Sequence, residues 1–230
     1  MLEHFPRFSR LLNVEYRLSQ GYPLPLQNPF PAALIDAVTA YNYLVHELHF
    51  QPRNILVTGD SAGASLAFQL TRYLASGELP SLAVPGGLLI LSPSLDWGTS
   101  HHSGGSFVRN AGSDWVAAFN AGYCSRALLG RLPRSEADVN AWLSPGGLNV
   151  PTVAGTYTNF PPTLFFAGGA ETTLDAMKVA ARRVAADVGD ERVEFIEHAD
   201  ATHVVLSLPW HEREKEEGYH LIEEWIERQF

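Results

Sequence analysis

The chain has 230 residues, the size of one domain, and 46% hydrophobic residues, ample for a core. A net charge of −9 without a basic stripe argues against a nucleic-acid partner, and no apolar run approaches the ~18 residues of a membrane span. Cys124 is the only cysteine, so an internal disulfide is excluded. It lies in a Tyr/Cys/Leu run and reads as a buried filler. The first five residues lack the basic start and apolar stretch of a secretory signal, so a cytoplasmic protein is expected.

In chain order, residues 4–12 read as a short helix and 13–18 alternate like a strand. Residues 20–31 form a proline-rich loop, and Pro31 opens a helix at its tolerated first turn. Leu34, Val38, Tyr41, Leu44, Val45 and Leu48 stripe that helix, which must end before Pro52. A buried strand at 55–58 runs into Gly59-Asp60-Ser61-Ala62-Gly63, followed by a helix over 64–75 that Gly77 stops. Residues 87–91 give the next buried strand. Strand and helix so far alternate as in a parallel sheet wound with helices.

From 92 to 162 the regularity fails. A polar loop at 98–105 precedes a helix predicted over 114–129, and aromatic residues concentrate here. The stretch 98–160 reads as a cap-like insertion over the strand ends of a single domain spanning 1–230, with Trp97, Phe107, Trp115 and Phe119 as candidate pocket residues. His101 and His102 are adjacent, without the helical spacing of metal ligands or an evident third ligand, so no metal is expected. Order returns with a strand at 163–167, a helix striped by Met177, Ala181, Val184 and Val188, a strand at 193–196, and a closing helix carrying Leu221, Ile222, Trp225 and Ile226. The last strand is expected at the sheet edge, a candidate homodimer surface.

Gly-x-Ser-x-Gly between a buried strand and a helix is the pattern of a nucleophile elbow. The turn is so tight that glycine is expected at both 59 and 63, and the helix start aims free N–H groups at the reacting oxygen. A serine needs a base, and the base an orienting acid, in chain order Ser, acid, His. Glu171 and Asp175 follow one strand; His198 and His203 follow the next. Glu171 lies nearest its strand end, whereas Asp175 reads as a helix-start charge. His203 sits in a loop, whereas His198 is still close to its strand. Glu171 is therefore expected against His203 Nδ1, and His203 against Ser61 Oγ.

Gly59-Asp60-Ser61-Ala62-Gly63 resembles the GDSAG elbow of the hormone-sensitive-lipase family of α/β-hydrolases. Val14-Glu15-Tyr16-Arg17-Leu18, with Pro29-Phe30-Pro31-Ala32-Ala33-Leu34-Ile35-Asp36-Ala37 behind it, resembles that family's DYRLAPE…PFPAALEDA stretch. Further similarities follow in order at 91–96, at Ser144-Pro145, at Pro161-Pro162 with Gly168-Gly169-Ala170-Glu171, and at Ala201-Thr202-His203. The resemblance implies an α/β-hydrolase fold, a mostly parallel sheet with helices on both faces, and hydrolysis of small carboxylic esters without a cofactor. The family's acid pattern places its first position on Glu171 and its last Asp on Asp175, leaving both open as the acid.

The family's His-Gly-Gly-Gly oxyanion segment precedes its Tyr-Arg-Leu. Here 15 residues precede Tyr16 and none forms that motif. The expectation is an N-terminally truncated hydrolase with Ala62 N–H as its remaining oxyanion donor, and weak turnover. The alternative is a non-catalytic protein of the same fold holding a small apolar ligand; a peptidase of this fold fits the motifs less well.

Overall fold

A computed structural model describes residues 4–116 and 122–230. Four parallel strands form one sheet in the order β1 (Leu56–Asp60), β2 (Gly87–Leu91), β3 (Thr163–Gly168), β4 (Val193–His198). Every residue of β2 and β3 is buried, whereas β1 and β4 are mostly half-buried at the edges. That is why the middle strands read as unbroken apolar runs: both of their faces are covered.

Helix α2 (Ala62–Ala75) and α6 (Leu174–Val188) cover one face, where Ala64, Ala67, Phe68, Ala180, Ala181 and Val184 meet Leu88, Ile90 and Phe165. Helix α7 (Glu212–Gln229) covers the other, with Ile222, Trp225 and Ile226 against Leu89, Leu91, Leu164 and Phe166. Helix α1 (Ala32–Asn42) stands outside α2, its Leu34, Ala37 and Tyr41 packing on Leu66, Leu70 and Leu74. A π-turn over Tyr43–Glu47 then shifts the apolar stripe, which leaves Leu48 exposed.

Three expectations fail here for physical reasons. Residues 4–12 are not helical: Pro6 removes a donor, and Phe5 is instead buried beneath α7 while Phe8 rests edge-on against Phe230. Residues 13–18 are extended but pair with no strand among the described residues; the described bridge joins Gln20 to Gln27 in an antiparallel sense. They are held by side chains instead, with Arg17 clamping the Asp36 carboxylate through Nε and a terminal nitrogen at 2.8–3.0 Å. Cys124 is exposed rather than buried: α4 (Tyr123–Leu129) buries Ala127 and Leu129 and leaves Cys124, in its first turn, to solvent. That helix begins after Gly122, and residues 117–121 of the predicted 114–129 helix lie outside the described residues.

The long β2–β3 connection holds α3 (Gly105–Arg109), α4 and α5 (Glu136–Val139). It is tied down by side chains of the helices beneath. Gln69 donates to Trp142 O (2.9 Å), Arg183 to Pro145 O (2.7 Å) and Val150 O (3.0 Å), and Asp187 accepts from Gly155 and Tyr157 N–H. Among the described residues no helix is long and apolar enough to cross a membrane, and no group of three or more His, Cys, Asp or Glu is placed to hold a metal.

Candidate active site

All four strands run the same way, so their C-terminal ends form one rim, the place where open α/β sheets gather their ligands. Each end delivers one polar side chain: Ser61 after β1, Ser92 after β2, Glu171 after β3 and His203 after β4.

Ser61 sits at φ 53°, ψ −118°, outside the ordinary regions for a side-chain-bearing residue. Its N–H donates to Leu91 O (2.9 Å), which extends the β1–β2 ladder by one bond and holds the turn. A β-carbon on Gly59 would lie 2.4 Å from Gly63 O and 2.8 Å from Ala64 N, so glycine is required there. Gly63 differs from expectation. Its β-carbon would meet only the Tyr16 hydroxyl at 3.7 Å, an ordinary van der Waals distance. Burial and the Asp60 carboxylate push the Tyr16 phenol up.

His203 is buried between its two partners. Nε2 lies 2.8 Å from Ser61 Oγ and Nδ1 lies 2.8 Å from Glu171 Oε2. A carboxylate only accepts, so Nδ1 carries the proton and Nε2 presents its lone pair to the serine hydroxyl. Glu171 is fully buried, and its Oε1 accepts from Gly168 N–H (2.6 Å) and Ser92 Oγ (2.7 Å). The acid loop can approach the histidine loop because Gly168 and Gly169 have no side chains. A β-carbon at either would fall 2.2–2.3 Å from Ala201 O or Ala199 O.

The other candidates lie elsewhere. Asp175 is in the first turn of α6 and accepts from Ser106 N–H at 2.7 Å. His198 pairs with Glu217 at 3.2 Å. Ala62 is exposed, and its N–H, as the first of α2, has no helical acceptor. Of the aromatic candidates, Trp115 donates Nε1–H to His203 O (3.2 Å) and sets its ring 5.6 Å from the imidazole. Trp97 packs with Leu129, Ala137 and Leu143, and Phe107 stacks on His102. Phe119 lies outside the described residues. A cavity of about 340 Å³ opens between the 100–105 loop and α6, beside Asp175, Lys178 and Arg182; neither Ser61 nor His203 lines it.

Residues 10–207 match the family described as alpha/beta hydrolase fold. The chain belongs to that family. Within it, the chain is similar to solved esterases of the hormone-sensitive-lipase family. A crystal structure of an esterase from the bacterial hormone-sensitive lipase family superposes with a TM-score of 0.72 at 27% identity, covering 94% of this chain and 64% of that one. An esterase of Acinetobacter venetianus is 30% identical over 178 residues, 76% of this chain and 52% of the relative. An acetyl-hydrolase of Streptomyces hygroscopicus is 38% identical over 87 residues, 36% of this chain and 28% of the relative. The chain thus spans about half the length of the Acinetobacter esterase and under two thirds of the solved one.

Sequence reasoning missed the residues that brace the rim. Asn110 is buried and donates to Gly169 O (2.9 Å) and Glu171 O (2.8 Å). Asp114, also buried, accepts from Thr172 N–H (2.7 Å) and Oγ1 (2.8 Å). Ser106 donates its hydroxyl to Thr172 O (3.0 Å). The β2–β3 connection therefore grips the acid loop through three side chains. No local pattern marks them, because each partner lies 58–66 residues away. Ser92 carried one signal, a polar residue directly after a fully apolar strand.

Proposed function

We propose that this hydrolase cleaves small carboxylic esters by acyl transfer to Ser61. The observation that carries the reading is the unbroken line from Ser61 Oγ through His203 to Glu171, with both contacts at 2.8 Å. The oxygen of Ser61 bonds to the ester carbonyl carbon while His203 Nε2 takes its proton. Glu171 holds the imidazole in the needed tautomer and balances the imidazolium that forms. The tetrahedral intermediate collapses, the carbon–oxygen bond to the alcohol breaks, and His203 returns the proton to the departing alcohol. Water, deprotonated by His203, then releases the acid from Ser61. The names of the Acinetobacter esterase and the Streptomyces acetyl-hydrolase support a short acyl group. The segment 98–160 serves as the cap of a single domain, and its Trp115 stands against His203.

Ala62 N–H is the oxyanion donor that the elbow supplies. Loss of one such donor typically costs ~10²–10³ in rate, so its backbone position matters to the reaction. A second reading is an apolar ligand held above Ser61 without turnover, against the Trp115 ring 5.6 Å from the His203 imidazole. A serine-reactive phosphonate separates the two. One adduct per chain, on Ser61 and absent from Ser61→Ala, supports the enzyme; no adduct on Ser61 sinks it. Turnover of p-nitrophenyl acetate that survives Ser61→Ala would also refute the enzyme reading.

A further inference from the structure

We propose that Ser92 is a positioning residue of this relay, one hydroxyl that locks the acid and the base loop to the same strand end. The inference rests on the reaction proposed above. Ser92 follows β2 directly, between the strand that carries Ser61 and the strand that carries Glu171. It is buried, and its N–H donates to Phe166 O at 2.7 Å, so the backbone is pinned to β3. Its hydroxyl has two partners. It lies 2.7 Å from Glu171 Oε1 and 3.0 Å from Val204 N. A hydroxyl has one proton and two lone pairs, and Glu171 can only accept. The proton therefore goes to Glu171, and a lone pair accepts the Val204 N–H.

The two bonds do different work. With Gly168 N–H, the Ser92 hydroxyl saturates Oε1, which leaves Oε2 to face His203. The bond from Val204 fixes the residue next to His203. Val204 is β-branched at φ 54°, a conformation such residues rarely adopt, and Ser92 itself is at φ 47°. Strained backbone of this kind persists only where its surroundings over-determine it. Ser92 supplies part of that constraint to both loops at once, across 79 residues to Glu171 and 112 to Val204.

Other ionisable groups near the relay are committed elsewhere: Asp114 to Thr172, Asp175 to Ser106, and His211 to Thr202. Asp60 precedes the nucleophile at the end of β1. Removal of the Ser92 donor leaves the buried carboxylate with fewer hydrogen bonds to its charged form, which strengthens its hold on a proton shared with His203. The acid limb of the pH–rate profile should then move to higher pH.

The test is the rate of phosphonate labelling at Ser61 from pH 5 to 9 in the wild-type chain, Ser92→Ala and Ser92→Gly. Glycine is at ease at positive φ and lacks the hydroxyl, so it serves if alanine unfolds the chain. The expected result is labelling about tenfold slower or more, as for loss of a hydrogen bond to a charged group, with the acid limb displaced upward. Unchanged rate and limb in a folded variant overturns the proposal. A slower rate with an unmoved limb also overturns it, because a merely structural serine would do that. Absence of labelling in the wild-type chain refutes the underlying reaction, and this inference with it; that outcome is read from the wild type alone.

Discussion

Gly59→Ala should damage this protein more than Gly63→Ala, although the two glycines are symmetric in the motif. At 59 the added β-carbon would lie 2.4 Å from Gly63 O, 2.5 Å from Gly63 C and 2.8 Å from Ala64 N, all backbone atoms of the first turn of α2. No rotamer relieves such a contact. Restoring an ordinary separation of about 3.4 Å requires the helix start to retreat by about 1 Å from β1, against the packed face of Ala64, Ala67 and Phe68. Overpacking of this kind costs about 1–3 kcal/mol. The same retreat carries Ser61 away from His203, and about 1 Å of misplacement can cost ~10² in rate. At 63 the nearest atom is the Tyr16 hydroxyl at 3.7 Å, the backbone φ is not positive, and the residue is helical. Alanine there should stabilise by about 0.5–1 kcal/mol through helix propensity. Urea unfolding of the two variants and the wild type, alongside phosphonate labelling, measures both quantities. Equal stability of Gly59→Ala and wild type, or equal damage from the two substitutions, would refute the steric reading of the elbow.

Glu171→Gln should reduce Ser61 labelling by about 10⁴, the scale seen when a triad acid is made neutral, while Asp175→Asn, whose carboxylate serves Ser106, should label within a few-fold of wild type; parallel labelling kinetics check this. Stability should fall as pH rises above about 10, where unfolded tyrosines ionise. Burial raises the Tyr41 and Tyr157 phenols, so each group's contribution is full below the unfolded value and is lost as pH climbs toward the folded one. Thermal melts from pH 8 to 11 test the sign, and Tyr41→Phe, which removes the donor to Ala83 O, should flatten the decline. If β4 pairs with a second copy, light scattering should give twice the 25.3 kDa chain mass; a monomer at high concentration would rule that interface out, and the ion pairs of Glu194 with Arg228 and Glu197 with Lys178 already crowd that edge with charge.

The amino-acid sequence by itself determined the parts whose causes are local. An apolar run of five or six residues between turn formers has one economical home, a strand covered on both faces, and 87–91 and 163–167 fall within one residue of β2 and β3. The stripe of α6 and its stop at Gly189 are equally local, as is the strand–turn–helix around Ser61. A strand, however, is a property of a pair. Residues 13–18 alternate correctly, yet without a neighbour to hydrogen-bond they remain an extended segment held by Arg17 and Asp36. Steric need is likewise three-dimensional, which is why Gly59 and Gly63 look alike in the motif and differ in the fold. Chain order offered two carboxylates and loop position favoured Glu171; its contact with His203 is made only once the 168–169 loop lies against 199–201. Ser92, Asn110 and Asp114 each bond to residues more than fifty positions away, and no periodicity records such contacts. Only the parallel sheet, by bringing four strand ends to one rim, places them beside Glu171 and His203.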